Sequence, residues 1–304
     1  VRPANAPVKI DVIPGEATRA NVVVSSVMGI KNPTVRLALT DDCHCLPDNI
    51  AKTTLVLRDE RWRRVGTAQL LEKGSVEVAL TKPSAMLGRI TATDRTGEKI
   101  WGSANPAVLQ NGENLNLYWG DMHAQSEYHV MHSQKKDARQ SEWSKGISCG
   151  KPDDVYQYAR DVSLLDFVAI TDQGAITGVG WDILKQKAAE YYQPGKFVTF
   201  NSYEAGSPVG HRNVFYRNGE ACPPQEAAKF NYMPEFLYRY YGGRKDVMMI
   251  PHHVKTWTDW SFYNPELEPV MEIYSCWGQS ENPSMERWNK GMTPGAGAWE
   301  ALRR

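Results

Sequence analysis

Chemistry-bearing side chains recur at the ends of apolar runs in the second half of the chain. Asp121, His123 and Gln125 follow LNLYWG; Thr171, Asp172 and Gln173 follow LLDFVAI; Glu204 closes FVTFNSY. His211 opens HRNV, His252 and His253 end VMMIP, and Glu272 lies in PVMEIYS. Of seven histidines only His44 lies outside residues 123–253. Imidazole mixed with carboxylate suits Zn²⁺, Mn²⁺ or Fe²⁺ better than Ca²⁺ or Mg²⁺. Such ions acidify a bound water and polarise a scissile oxygen, so hydrolysis is the chemistry expected. The chain has no G-x-S-x-G elbow, G-x-G-x-x-G or G-x-x-x-x-G-K. A serine hydrolase, a dinucleotide site and a Walker phosphate site are therefore unsupported.

The elements that must position these groups divide near Ala107–Asn116. Residues 1–112 carry short Val/Thr/Ile-rich runs (VKIDVI, ANVVVSSV, TVRLALT, TTLVLRD, VEVALT, LGRITATD) between turn residues. That spacing predicts an all-β, sandwich-like accessory domain, with RDERWRRV as a solvated strand edge. Residues 113–304 alternate apolar strands with helical stretches such as PDDVYQYARDV and DILKQKAAEYY, predicting an α/β domain with a mainly parallel sheet, open or closed into a barrel. In such folds, active sites gather at the C-terminal strand ends.

Composition narrows the partners. The 304 residues balance 35 basic against 35 acidic side chains, which argues against a nucleic-acid partner recognised through bulk charge. No apolar run approaches the roughly 18 residues of a membrane span. Cys43-His44-Cys45 is too tightly spaced for an ordinary zinc site and reads as loop thiols, or as one partner of a bond to Cys149, Cys222 or Cys276. This cysteine usage leaves the redox compartment open.

GDMHAQS, PDDVYQYARD, LDFVAITDQ, YEAGSPVGHRNV and IPHH, in that order, resemble the PHP (polymerase and histidinol phosphatase) superfamily over about residues 115–280, and look closest to its large bacterial branch long labelled a domain of unknown function. The resemblance implies an incomplete, distorted β/α barrel, one to three divalent metals, and hydrolysis of an ester-type bond (phosphoester, carboxyl ester or carbamate) in a small molecule by metal-bound hydroxide. It places metal ligands at Asp121, His123, Gln125, Asp172, Gln173, Glu204, His211, His252 and His253. Catalytic roles fall on Glu204, His211 and Arg212, the last to stabilise an oxyanion. Gln125 and Gln173 stand where the family pattern has His, and the family's last Asp-x-His is missing. A catalytically silent ligand-binding module is therefore the alternative expectation. With about six strands counted after Tyr118, a further segment beyond Arg304 or another chain is expected to complete the barrel.

Of adjacent His252 and His253, strand alternation predicts one ligand and one neighbour, with His253 preferred. Asp121 is expected either to ligate or to orient His123, and Glu272 either to ligate or to hydrogen-bond in the core. His129 and His132 are weaker candidates. Trp119, Trp143, Trp257 and Trp260 are candidates for an apolar pocket wall.

Overall fold

The computed structural model describes residues 13–25, 33–47, 52–70, 75–81, 87–108, 116–129, 150–173, 179–218, 223–224, 233–275, 278–281 and 293–303. It divides into two compact units, Val1–Trp119 with Gln157–Leu165, and Gly120–Tyr156 with Asp166–Arg304.

The first unit is antiparallel. Its strands are β1 (Arg19–Ser25), β2 (Thr34–Thr40), β3 (Thr53–Arg58), β4 (Arg64–Leu70), β5 (Ser75–Ala79), β6 (Leu87–Gly88), β7 (Thr91–Thr93), β8 (Ile100–Ser103) and β9 (Ala107–Val108). They form sheets of order β1-β2-β5 and β4-β3-β7-β8, with β6 and β9 as a separate pair. Alternation drives the packing: Ala20, Val22 and Val24 of β1 turn inward, as do Val35, Leu37 and Leu39 of β2. They share one core with Leu55 and Leu57 of β3 and Val65, Ala68 and Leu70 of β4. Each Val or Leu among them stabilises the unit by about 1.5–3 kcal/mol on burial. A later segment also belongs here. The helix expected over PDDVYQYARDV changes pitch: α1 (Pro152–Gln157) passes into a π-turn over Tyr158–Val162. That turn is tied down where Asn21 Nδ2 donates to the Val162 carbonyl (2.7 Å) and the Tyr158 hydroxyl to that of His44 (3.0 Å).

The second unit is built on a five-stranded sheet of order β10 (Gly120–Ala124), β11 (Phe167–Ile170), β12 (Val198–Ala205), β13 (His211–Tyr216) and β14 (Val247–His252). The β10–β11 and β11–β12 pairings are parallel; β12–β13 and β13–β14 are antiparallel. The helices are α2 (Val179–Tyr191), α3 (Pro234–Tyr241), α4 (Val254–Trp257) and α5 (Ala298–Leu302), with a small hairpin of β15 (Tyr274–Ser275) and β16 (Gly278–Gln279). Among the described residues, α2 is the only helix longer than eight residues, and none is long and apolar enough to cross a membrane.

This architecture overturns the expected α/β fold with an incomplete β/α barrel. Strands outweigh helices, and the sheet reverses direction at β13. The reversal has a local cause. Only residues 206–210 join β12 to β13, whereas a parallel crossover needs a dozen or more. The expected strands VKIDVI and PVMEIYSCWG also differ: most of the first lies outside the described residues, and the second is irregular until β15. The helix expected at NPSMERWNKG lies outside them too.

One sheet face is a conventional core. Tyr203 and Ala205 of β12, Val214 and Tyr216 of β13, and Val247 and Met249 of β14 pack with Trp181 of α2 and Leu237 and Tyr241 of α3. On α2, Trp181, Leu184, Ala188 and Tyr191 are buried, the spacing of an amphipathic helix lying on a sheet. The other face carries the polar groups.

Candidate metal centre

Register decides which side chains meet. Glu204 pairs with Asn213, and His211 with His252; residues two apart share a face, so Glu204, His211 and His252 point the same way. Gln173 bridges to Glu204 in parallel register, which puts it on that face too. On β10 a bulge between Asp121 and Ala124 shifts the register. Beyond it, Ala124 pairs with Ile170 on the core side, leaving His123 and Gln125 on the polar face. Because β13 runs opposite to its neighbours, its first residue, His211, lies level with the last residue of β14, His252.

Two groups of ligand-type atoms result, each with its atoms within 4.8 Å of one another: His123, His252 and His253, and Glu204, His211 and His252. His252 is common to both. It is fully buried, and among the described residues its Nδ1 has no hydrogen-bond partner, while its Nε2 lies 3.3 Å from Glu204 Oε1 without hydrogen-bond geometry. A buried imidazole nitrogen left so costs about 1–3 kcal/mol, and a cation accepting its lone pair would remove that cost. The donor set therefore fits a divalent transition ion.

His253 departs from the expectation that it and His252 would face opposite ways. Its φ of 52° places it in the left-handed region at the start of α4. That breaks the strand's alternation and returns its ring to the cluster, with centroids 4.5 Å from His252 and 5.2 Å from His123. A left-handed histidine costs about 1 kcal/mol or more and persists only where its surroundings impose it.

Electrostatics set the charge states of these groups. Burial first, and His123 next, push His252 down to about 4. His253 is driven lower still, by burial and then by His252 and His123. Both imidazoles are thus neutral with lone pairs available near neutral pH. Burial would raise Glu204, but the facing His252 and the hydrogen bond donated by His211 Nδ1 (2.6 Å) outweigh it and hold the carboxyl well below the usual range. His123 is also opposed by burial, yet its contact with Glu272 (Nδ1 to Oε2, 2.5 Å) raises it.

The other sequence candidates are placed differently. Asp172 faces the core side, fully buried, and accepts hydrogen bonds from Ser126 N (2.6 Å) and Ser126 Oγ. Burial pushes it up to about 6 against those bonds. Asp121 is exposed and accepts the His123 backbone N–H (2.8 Å), orienting that residue from outside the two groups. Gln125 Nε2 donates to Glu204 Oε2 at 3.5 Å, restraining the carboxylate. Gln173 donates its backbone N–H to His129 Nδ1 (3.1 Å).

Arg212, expected at the oxyanion, is turned to the core face by alternation and is fully buried. Its Nε donates to Glu268 (2.9 Å), Nη1 to the Val209 (3.3 Å) and Gly210 (2.7 Å) carbonyls, and Nη2 to Phe262 O (3.0 Å). It braces the turn that leads into His211. Gly210 in that turn has φ +108°, and a Cβ there would lie 2.7 Å from Thr258 Oγ1. Trp119 donates to the Val24 carbonyl within the first unit, and Trp260 is buried against Gly297 O. Cys43 and Cys45 are free thiols in a turn organised by Asp41. His132, Trp143, Cys149, Cys222, Cys276 and the Trp257 side chain lie outside the described residues.

The sheet thus gathers a histidine–carboxylate cluster whose donor atoms could hold a metal ion. Comparison with known proteins adds little to that reading. No family model matches the chain. It is similar to an uncharacterised protein of Chlamydia pneumoniae, 24% identical over 177 residues, which cover 55% of this chain and 25% of the relative. The chain spans about a quarter of that relative's length. Two solved structures of a Ruminococcus gnavus β-glucuronidase also align, both at 12% identity and a TM-score of 0.20. The complex with uronic isofagomine covers 61% of this chain and 28% of that one; the complex with an N1-substituted uronic isofagomine covers 59% and 34%. A TM-score of that size carries no argument about fold or activity.

Proposed function

We propose that this chain is a metal-dependent hydrolase of an ester-type bond, held on the open face of a mixed sheet. The observation that carries the reading is the convergence of His123, Glu204, His211, His252 and His253, from four strands and a left-handed turn, into two overlapping ligand groups. Ordered motifs resembling the PHP superfamily support it.

His252 would be the shared ligand. A neutral imidazole has one free lone pair, so His252 serves one ion, joined by Glu204 and His211 or by His123 and His253. A bound Zn²⁺, Mn²⁺ or Fe²⁺ would supply a water acidified toward neutrality and a Lewis-acid hold on the scissile oxygen. Glu204, ionised and buried, brings negative charge that lowers the cost of holding a cation there. Its hydrogen bond from His211 fixes that ring, and Gln125 restrains its other oxygen. Arg212 holds the turn before His211.

Metal analysis of full-length protein, together with hydrolysis of p-nitrophenyl phosphate, phosphodiester, acetate and carbamate before and after adding Zn²⁺ or Mn²⁺, tests the proposal. The expected result is tight binding and metal-dependent turnover of at least one ester class. No bound metal and no metal-dependent turnover would sink it. Gln125 and Gln173, where the resemblance expects imidazole, favour the second reading of a binding module. Metal binding without turnover of any ester, with substrate-like ligands still bound, selects that reading instead.

A further inference from the structure

Glu272 reaches the centre from outside the five-stranded sheet. It lies on the irregular chain before β15, and its backbone N–H donates to the Pro251 carbonyl (2.9 Å), which fixes it beside the end of β14. Its carboxylate is 14% exposed and makes two contacts with the centre. Oε2 lies 2.5 Å from His123 Nδ1, and Oε1 accepts the backbone N–H of His253 at 3.5 Å. Oε1 is also 3.8 Å from His253 Nδ1. One carboxylate therefore touches a ring from β10 and the backbone of the left-handed residue after β14, although those two strands lie at opposite ends of the sheet order.

We infer that Glu272 is a positioning residue: it accepts the Nδ1 proton of His123, which leaves Nε2 as the coordinating atom, and its hold on the His253 N–H helps keep that residue in the turn that aims its ring at the same centre. The chemistry behind the first half is general. An imidazole in water carries its proton mainly on Nε2, and a carboxylate at Nδ1 reverses that preference. Ligand histidines are commonly fixed in this way, and loss of the partner typically weakens metal binding 10–100-fold. The second half rests on geometry. A carboxylate facing the N–H of a left-handed, non-glycine residue helps impose a conformation the residue would otherwise leave. The sequence singles out Glu272 only as an acid in an apolar run; its meeting with His123 arises across 149 residues of chain.

The inference rests on the metal-site reading but not on hydrolysis, and its test separates them. In full-length, chelator-treated protein with ¹⁵N-labelled histidine, well above the ordinary imidazole pKa range, the tautomer of His123 is read from long-range ¹H–¹⁵N correlations and assigned by its loss in His123→Ala. The wild type is expected to show the proton on Nδ1. Glu272→Ala is expected to move it to Nε2 and weaken Zn²⁺ binding 10–100-fold. Glu272→Gln, whose amide oxygen still accepts from Nδ1, is expected to keep the tautomer and most of the affinity. An Nε2–H tautomer in the wild type, or a Glu272→Ala protein with both tautomer and Zn²⁺ affinity unchanged, overturns the inference. So does a Glu272→Gln protein that keeps the Nδ1 tautomer but loses Zn²⁺ as fully as Glu272→Ala, since that makes Glu272 a direct ligand. Wild-type protein that passes these tests yet cleaves no ester upholds the positioning role and removes only the hydrolase.

Discussion

Replacing Arg212 with Met separates two roles for that residue, because each predicts a different observable. The Arg212 and Glu268 side chains are both fully buried and meet at 2.9 Å. At an effective dielectric of about 20, charge centres roughly 4 Å apart attract by about 4 kcal/mol, and desolvation of two ions offsets several kcal/mol of that. The intact pair is therefore close to neutral for stability, but half of it is not. With Met at 212, the Glu268 carboxyl keeps the hydrogen bond from the Tyr238 hydroxyl (3.0 Å), while the Gly210 and Phe262 carbonyls lose the guanidinium donor and the Val209 carbonyl keeps the Asp259 backbone N–H (3.1 Å). Breaking one side of such a pair costs about 3–5 kcal/mol. Urea unfolding of the chelated protein should show that loss for Arg212→Met and a substantial recovery for Arg212→Met/Glu268→Leu, which removes the stranded acid as well. Zn²⁺ affinity should fall less than in His211→Ala. An Arg212→Met protein within about 1 kcal/mol of wild type, but with turnover lost, would refute the structural role and restore the oxyanion one.

Other perturbations follow from the same geometry. His252→Ala removes the ligand common to both groups, so metal analysis should show a greater loss of bound Zn²⁺ than in His123→Ala or His211→Ala; equal losses in all three would contradict the shared role. Gly210→Ala places a methyl 2.7 Å from Thr258 Oγ1 at a φ of +108°, and should cost about 1–3 kcal/mol and weaken Zn²⁺ binding, as followed by unfolding and calorimetric titration. Gly195→Ala, at φ +74° with nothing within 4 Å, should cost about 1 kcal/mol and leave Zn²⁺ binding unchanged. The metal-free protein contains two opposite pH slopes. His252, lowered from 6.5 to about 4, contributes about 3 kcal/mol that is present above pH 6.5 and lost as pH falls through about 4. Asp172, raised from 3.8 to about 6, contributes a similar amount with the reverse sign, present below pH 3.8 and lost as pH rises through about 6. Asp172→Asn should therefore steepen the acid loss between those values, and unfolding profiles no steeper than wild type would count against both assignments.

The first unit was legible as β-structure because apolar residues recur at every second position: Ala20, Val22 and Val24, then Val35, Leu37 and Leu39, fall into one core. The second unit was misread at its connections. Apolar strands separated by helical stretches suggested parallel crossovers, but GSPVG between β12 and β13 is too short to hold one. Its Gly and Pro residues mark a reversal, and that reversal carries His211 to the same sheet edge as His252.

The site was legible as a set of residue types and less so as directions. Parity alone could have separated Asp172 from Gln173, since neighbours on a strand face opposite ways and the register puts Gln173 level with Glu204. The same parity was misleading at His252 and His253, where a left-handed residue lets both rings enter the centre. No local pattern announces that conformation for a histidine. It is imposed by what surrounds it: the turn into α4, and Glu272 facing its N–H. Arg212 shows the converse. A cation beside a candidate ligand histidine invites a catalytic role, yet one step along a strand moves its guanidinium to the opposite face and into a buried pair with Glu268, 56 residues away. In this sheet the chemistry follows from strand parity wherever alternation holds, and from long-range carboxylates where it breaks.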